Sequence, residues 1–476
     1  MLRDNYAKDK LFAEILQLLP AMEPELAKVD AYLEDEELFQ LIKDDLSKRR
    51  AKTLETGRNS TPVEVILRML VVKRLYKCSY EDVERYVCDS LVLRQFCRVY
   101  LNRVPDDTTL IRWANLICGK TLEKFNERIA QLALEHKVTT GRKLRTDGTV
   151  VESDIHPPSD SRQLADSVRV LERTVKRARQ LTQAVEDVVK EKRENVTRIA
   201  RDMTRKIGDT LRKRTQQAKE TGKQLYRQLV DLTRQTVSDA SRTLEVLRQQ
   251  SSKTAKRLSK TLQNFIPLTE KVIDQTRRRV FENQNVPAQE KIVSIFEPHA
   301  DIICRGKEAH PVEYGHKIWL NEVDGGIVSH YRILDGNPSD EHQWKPSLQA
   351  HQATFDHPPE QASADRGLYS TANEKFAHEM GVEHAILPKP GYKSQLRKEH
   401  ERQDWFVSGR KWHAGVEGRI SVLKRAHGLG RCLDHGESGF QHWVGWGIIA
   451  GNLAVMGRAP SRLKIFDCQG ADKISK

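Results

Sequence analysis

Between residues 160 and 283 glycine and proline almost vanish, charge rises, and apolar residues recur at steps of three and four. One run is Leu164, Val168, Leu171, Val175 and Ala178. A second includes Val185, Val189, Val196, Ile199 and Met203, and a third Leu225, Leu229, Leu232, Ala240, Leu244 and Leu247, with Leu258 and Leu262 beyond it. That period predicts helix burying a narrow apolar seam, a long helical hairpin or coiled coil. Gly208 or Gly222 is the expected bend and Pro267 a later break. Such a rod divides the chain. We expect an insertion over 163–290, a helical N-terminal domain over 1–140, a second domain built from 141–162 and 291–457, and a disordered tail over 458–476.

The rod also carries the charge. The chain has 476 residues, net charge +14 and pI about 9.3. Residues 161–290 hold 30 Lys+Arg against 16 Asp+Glu, which is the whole surplus. A polyanionic partner follows, double-stranded DNA first among them. The segment is a solvated spacer, an arm laid along phosphates through Lys253, Lys256, Arg257 and Lys260, or the element that pairs two subunits.

Before the rod, Thr61-Pro62-Val63-Glu64, Ser79-Tyr80-Glu81-Asp82 and Asp107-Thr108-Thr109-Leu110 each carry a helix-start signal. With Arg94, Arg98, Arg103 and Arg112 among them, these helices read as a helix-turn-helix DNA reader or as a packed domain with a basic face. After the rod, Val312–Leu320 and Gly326–Leu334 flank the turn Asp324-Gly325 as a hairpin. A helix, the segment Ala362-Ser363-Ala364-Asp365, a helix from Ser370 to Met380, the strand His384–Pro388 and a further helix follow. With the strand over 141–158, this order suits a mixed α/β sheet of ribonuclease-H-like type. Trp443–Met456 reads as a small-residue helix packed on that sheet.

Three acids stand at points of this order that suit metal-holding carboxylates. Asp147 lies in Leu144-Arg-Thr-Asp-Gly-Thr-Val-Val-Glu152, Asp365 in Ala364-Asp-Arg-Gly-Leu-Tyr-Ser370, and Glu417 in a helix running from Arg410 to Lys424. Two carboxylates at strands and one on a helix can share two Mg²⁺ or Mn²⁺ ions about 4 Å apart, the arrangement for in-line attack on a phosphodiester. Gly148 and Gly367 leave room for close approach of phosphate. His413, Glu417, Ile420 and Lys424 share one helix face, with Trp412, Val416, Ile420 and Leu423 as the packing stripe. Lys424 suits a phosphate, and Arg419 and Arg425 the flanking backbone. Each acid also has a plainer reading: Asp147-Gly148 as a turn, Asp365 as a cap, Glu417 as half of a surface pair with Lys424. Glu152, Asp154 and Asp160 compete for the first role.

Other chemistries find no support. The seven cysteines form no Cys-x-x-Cys pair, which points to a reducing compartment. The start has no apolar signal core and no apolar run reaches membrane length, so a soluble cytoplasmic protein is expected. No phosphate-binding Gly-x-x-x-x-Gly-Lys-Ser/Thr loop, hence no nucleotide cofactor, and no Gly-x-Ser-x-Gly elbow is present.

Taken together, residues 61–117, Thr146–His156, Asp365-x-Gly-x-x-Tyr-Ser370 and Glu417-x₆-Lys424 resemble bacterial insertion-sequence transposases of the DDE class, in particular ISNCY-type elements with an InsH-like N-terminal domain. The resemblance implies metal-ligand roles for Asp147, Asp365 and Glu417, and DNA contact for Lys424. Some relatives carry Tyr and Arg seven and four residues before the glutamate; this chain has Arg410 and His413 there, candidates for the same DNA. The implied function is binding of terminal inverted repeats, metal-dependent cleavage and transfer of the freed 3′-hydroxyl, by a dimer or higher oligomer. A ribonuclease-H-like nuclease or resolvase without strand transfer, and a DNA-binding structural protein with inactive acids, remain as alternatives.

Overall fold

A computed structural model describes residues 1–18, 21–189, 195–304 and 311–460. The chain forms two compact units, Met1–Glu152 with His316–Lys476, and Ser153–Gly315.

The chain opens with helices α1 (Lys10–Leu16), α2 (Pro24–Tyr32), α3 (Glu36–Ser47), α4 (Val63–Leu75), α5 (Tyr80–Asp89), α6 (Leu91–Phe96), α7 (Asp107–Ala114) and α8 (Gly119–Glu135). Ser79 and Asp82 close a reciprocal capping box at the start of α5. The start expected at Thr61 falls instead at Val63, where Pro62 supplies no side-chain cap. Burial holds α4 in place of a cap, since every residue from Val65 to Arg74 is buried. Arg68, at its centre, is wholly buried and neutralised by Asp30, Glu34 and Glu64. The expected basic face is smaller than the sequence suggested. Arg98 pairs with Asp30 and Glu34, and Arg94 donates to the carbonyls of Tyr100 and Asn102, both at 2.9 Å. Those two arginines brace loops; Arg103 and Arg112 stay exposed.

Strand β1 (Lys143–Ser153) leads to α9 (Asp160–Leu181), α10 (Gln183–Val188), α11 (Val196–Leu211), α12 (Gln216–Arg248), α13 (Lys253–Thr276) and β2 (Asp301–Cys304). The chain continues through β3 (Val312–Val323), β4 (Ile327–Leu334), α14 (Trp344–Phe355), β5 (Gln361–Ser363), α15 (Thr371–Glu379) and β6 (His384–Ile386). It ends with α16 (Gln395–Arg402), α17 (Asp404–His413), α18 (Gly415–His427), β7 (Arg431–Cys432) and α19 (Gly436–Arg458).

In the first unit the strands lie in the order β3-β1-β5-β6, with β4 pairing β3. β1, β5 and β6 are parallel, and β3 and β4 form an antiparallel hairpin with a bulge at Asn321/Glu322. The hairpin turns at Asp324–Gly326, as expected. Gly325 has φ +78, and a Cβ there would fall 2.1 Å from the carbonyl of Val138, so only glycine fits. The bulge is completed by side chains: Asn452 accepts from Val328 N at 2.9 Å and donates to Val328 O at 2.8 Å, with Asn126 donating to the same carbonyl at 3.0 Å.

One core joins the N-terminal helices to the sheet, with Leu38, Leu67 and Phe125 in the cluster of Trp319, Trp344, Ala362 and Trp446. α19 explains this union. Its Phe440, Val444 and Ile448 pack with Ile318, Leu320 and Val328, while Trp446, Ile449, Leu453 and Met456 join the helical cluster. Its glycines admit close neighbours; a Cβ on Gly447 would meet Leu429 at 2.8 Å and the His427 carbonyl at 2.9 Å. The disordered tail expected over 458–476 falls largely outside the described residues.

In the second unit the expected two-helix rod is a bundle. α9 packs against α11, α12 and α13, and α12 against α11 and α13. Two apolar clusters fill it, one around Leu164, Val168, Leu229 and Val272, the other around Leu171, Val175, Leu244 and Leu258. Gly208 and Gly222 lie inside α11 and α12; the turn comes between them, where Thr215 caps α12 by accepting from Ala218 N at 3.1 Å. Pro267 sits inside α13 without ending it. The sequence showed a narrow seam because part of the core is polar. Thr233, Thr236, Thr243 and Thr269 are buried, each hydroxyl donating to a carbonyl one turn back.

Candidate active site

Asp147 lies in the middle of β1, in extended backbone, so the turn reading of Asp147-Gly148 is excluded. Side chains alternate along the strand. Leu144 and Thr146 are buried toward one face, where Thr146 bonds Asn321 Oδ1 at 3.1 Å. Arg145 and Asp147 take the other. β5 runs parallel beside β1 with Ser363 opposite Arg145, so continuing both strands brings Asp365 alongside Asp147. Gly148 allows the close packing behind this point; a Cβ there would sit 3.1 Å from the Trp319 ring and 3.2 Å from Lys317 Cε.

The two acids sense each other. Burial first, and the negative charge of Asp365 second, push the Asp147 carboxyl up to about 6. Its hydrogen bond from Gly148 N, 2.7 Å to Oδ1, and the nearby His413 oppose that shift, while Asp340 adds to it. Asp365 is held below the usual range chiefly by its hydrogen bond with His413, Nε2 to Oδ1 3.1 Å. The other ring nitrogen of His413 lies 3.3 Å from Ser363 Oγ. A histidine expected to face DNA is therefore buried and orients Asp365. Asp365 caps no α-helix; Ser370 caps α15 itself.

An ion pair supports the joint between α17 and α18. Arg145 donates to both carboxylate oxygens of Glu322, at 2.7 and 2.6 Å, and to the carbonyl of Trp412 at 2.5 Å. Its guanidinium also stacks 4.8 Å from the Trp412 ring centroid. Gly415 opens α18 directly over it, where a Cβ would fall 2.4 Å from Arg145 Nη1.

Glu417 stands in the first turn of α18, where a helix N-terminus favours a carboxylate. It is exposed and makes no ion pair among the described residues, which sets aside a surface pair with Lys424. Arg410 and Arg425 are exposed and Lys424 is half-buried. Arg419 is placed otherwise than expected: it is buried, donates to Asn452 Oδ1 at 3.1 Å, and has its pKa lowered to about 10 by that burial. Two competing acids are engaged elsewhere, Glu152 with Arg431 at 2.7 Å and Asp160 with Arg279 at 2.8 Å. Among the described residues no three His, Cys, Asp or Glu side chains form a group that holds a metal ion as it stands. The pair Asp147/Asp365 nonetheless suits a divalent cation in chemistry, being two oxygen donors whose repulsion a cation relieves.

Sequence reasoning missed Arg145, Glu322 and Asp340. Arg145 had a signal, since it shares the strand face of Asp147. Asp340, held by Lys317, had none, because it approaches from the loop before α14.

Residues 13–116 match the family described as a transposase domain (DUF772). No curated protein and no solved structure matches the chain. No described helix is long and apolar enough to cross a membrane.

Proposed function

We propose that this chain is a DNA transposase of the DDE class with a ribonuclease-H-like catalytic fold. It would bind terminal inverted repeats, cleave them, and join the freed 3′-hydroxyl to target DNA. The observation that carries this reading is the pairing of Asp147 on β1 with Asp365 just past the end of the parallel β5, in a chain whose residues 13–116 match a transposase domain. The strand order agrees, with β1 central, an antiparallel hairpin on one side and two parallel strands on the other.

In this reading Asp147 and Asp365, with Glu417 from α18, would hold Mg²⁺ or Mn²⁺. Two such ions supply charge neutralisation and an activated oxygen nucleophile. His413 fixes the orientation of Asp365, and the Arg145–Glu322 pair fixes the start of α18 and so the height of Glu417. Arg410, Lys424 and Arg425 lie on the same pair of helices to meet phosphates.

The bundle supplies the second contact with DNA. Lys253, Lys256, Arg257 and Lys260 are all exposed in the first turns of α13, and no acid stands in its first turn. Cations at a helix N-terminus oppose the helix dipole by a few tenths of a kcal/mol each. Bound phosphate reverses that penalty. Two DNA ends must be held together, so a dimer or higher oligomer is expected.

The test is Mg²⁺-dependent cleavage and joining of DNA carrying the element's ends. Asp147→Asn, Asp365→Asn and Glu417→Gln should each abolish cleavage and retain binding. Full cleavage by any one of them removes that residue from the site, and cleavage without joining reassigns the chain to a nuclease or resolvase. The exposure of Glu417, without an ion pair among the described residues, favours one second reading, a DNA-binding protein whose acids no longer take metal. Calorimetric titration with Mn²⁺ separates the two, since that reading requires no heat of binding from the wild type.

A further inference from the structure

After β6 the chain makes the loop Pro388-Lys-Pro-Gly-Tyr-Lys-Ser394 before α16. Gly391, at φ +67, turns the loop outward. Beyond it Tyr392 is 88% exposed and Leu396, in the first turn of α16, is 79% exposed. Large side chains this open cost free energy in water, and a tip carrying two of them has few intramolecular reasons to exist.

The stem, by contrast, is tightly held. Glu401, 7% exposed, accepts from Lys389 N at 2.9 Å, from Lys393 Nζ, and from Arg397 Nε at 2.9 Å. One buried carboxylate thus ties both sides of the loop together. Arg397 ties the stem to the fold, donating to Glu374 of α15 at 2.6 Å and to the Leu387 carbonyl at 2.5 Å. Its guanidinium also lies 4.7 Å from the ring centroid of Tyr369, in the turn that follows Asp365. The loop is therefore anchored at its stem to the segment that carries Asp365 and projects Tyr392 into solvent. The surrounding charge is positive: Lys398 and Arg402 are exposed and Lys389 half-exposed, with Glu399 the one exposed acid of residues 388–402.

We infer that Tyr392 is a stacking platform for an unpaired nucleobase at a DNA end, with Lys389, Lys398 and Arg402 meeting the phosphates beside it. A phenol ring on a pre-ordered basic stem meets the needs of single-strand binding. A base loses water from its flat face, the phosphates meet cations, and the backbone of the stem, already tied down, adds little further ordering cost. Stacking of this kind is indifferent to sequence. It rests on the proposed action at DNA ends.

The experiment uses the full chain and two DNA duplexes, one blunt and one with a three-nucleotide overhang carrying 2-aminopurine. Wild type should bind the overhang duplex at least about fivefold more tightly than the blunt one, with quenched 2-aminopurine emission. Tyr392→Ala should bind the two equally and leave the emission unquenched, while Tyr392→Phe and Tyr392→Trp keep both effects. At 88% exposure none of these changes disturbs folding. Equal binding of both duplexes by wild type, or an unchanged preference in Tyr392→Ala, overturns the inference and leaves the transposase reading standing. Absence of binding to either duplex overturns both. A change in oligomeric size for Tyr392→Ala, without a change in DNA preference, assigns the tip to contact between copies of the chain and overturns the inference.

Discussion

Asp147→Asn should make the metal-free protein more stable at neutral pH while destroying its chemistry. The folded protein holds this carboxyl at about 6, against 3.8 ordinarily, because it is buried beside Asp365. At about 1.4 kcal/mol per pH unit the gap is worth about 3 kcal/mol at most, and partial solvent access trims it to about 1–3 kcal/mol. The sign follows from the protons. Above pH 7 the group is ionised in both folded and unfolded states, and the folded state bears the whole penalty. As pH falls through 6 the folded state takes up a proton first, and the wild type regains stability until about pH 4. The amide of Asn keeps the size of the side chain and an oxygen for the Gly148 N–H. Its advantage over wild type should be largest at pH 7.5, about half gone near pH 5, and reduced to roughly a fifth by pH 4. The assay is urea unfolding in EDTA at these three pH values, followed by circular dichroism. Added Mn²⁺ should stabilise the wild type and leave Asp147→Asn unchanged. A mutant less stable than wild type at pH 7.5, or an advantage that does not shrink with acid, refutes the argument that burial and Asp365 repulsion govern this carboxyl.

Four further outcomes follow from other parts of the molecule. Asn452→Leu removes the groups that complete the β3–β4 bulge and strands the buried Arg419, so urea unfolding should show a loss of about 3 kcal/mol. Gly447→Ala places a methyl against Leu429 and the His427 carbonyl and should cost about 1–3 kcal/mol, read as a lower melting temperature. His351 is buried with its pKa lowered to about 4, so it binds a proton in the unfolded chain before the folded one. Its own contribution to stability should then fall as pH drops from 6.5 to 4, opposite in sign to that of Asp147, and His351→Leu should gain on the wild type over that range in pH-resolved thermal melts. Pro267→Ala restores a donor to the interior of α13 and should stabilise the bundle by up to about 3 kcal/mol, seen as slower hydrogen exchange around Gln263.

Local signals in the sequence located much of this chain. The capping box at Ser79, the Asp324-Gly325 turn and the order of strands and helices after residue 300 are short-range chemistry, and short-range chemistry is written in neighbouring residues. Asp147 and Asp365 stood out for the same reason, one within a strand and the other two residues past the end of one. What the sequence concealed depends on partners far along the chain. Arg98 and Arg419 looked like surface cations because nothing nearby shows that Asp30 or Asn452 waits for them, 68 and 33 residues away. His413 looked like a DNA contact because Asp365 is 48 residues away. The bundle was read as a hairpin because its buried threonines satisfy their own hydroxyls, so they interrupt the apolar period without leaving the core.

The placement of α19 also bears on when this protein becomes competent. One segment that packs on both the sheet and the N-terminal helices is Gly436–Arg458, so until residues 436–458 have been translated the apolar faces they cover on both partners stay open. Until then the emerging chain exposes sticky surface and is a client for chaperones. A nonsense codon just upstream of residue 436 should therefore leave the Ile318, Leu320 and Val328 face uncovered, and the first unit of the truncated chain should be cleaved by protease faster than that of the full chain.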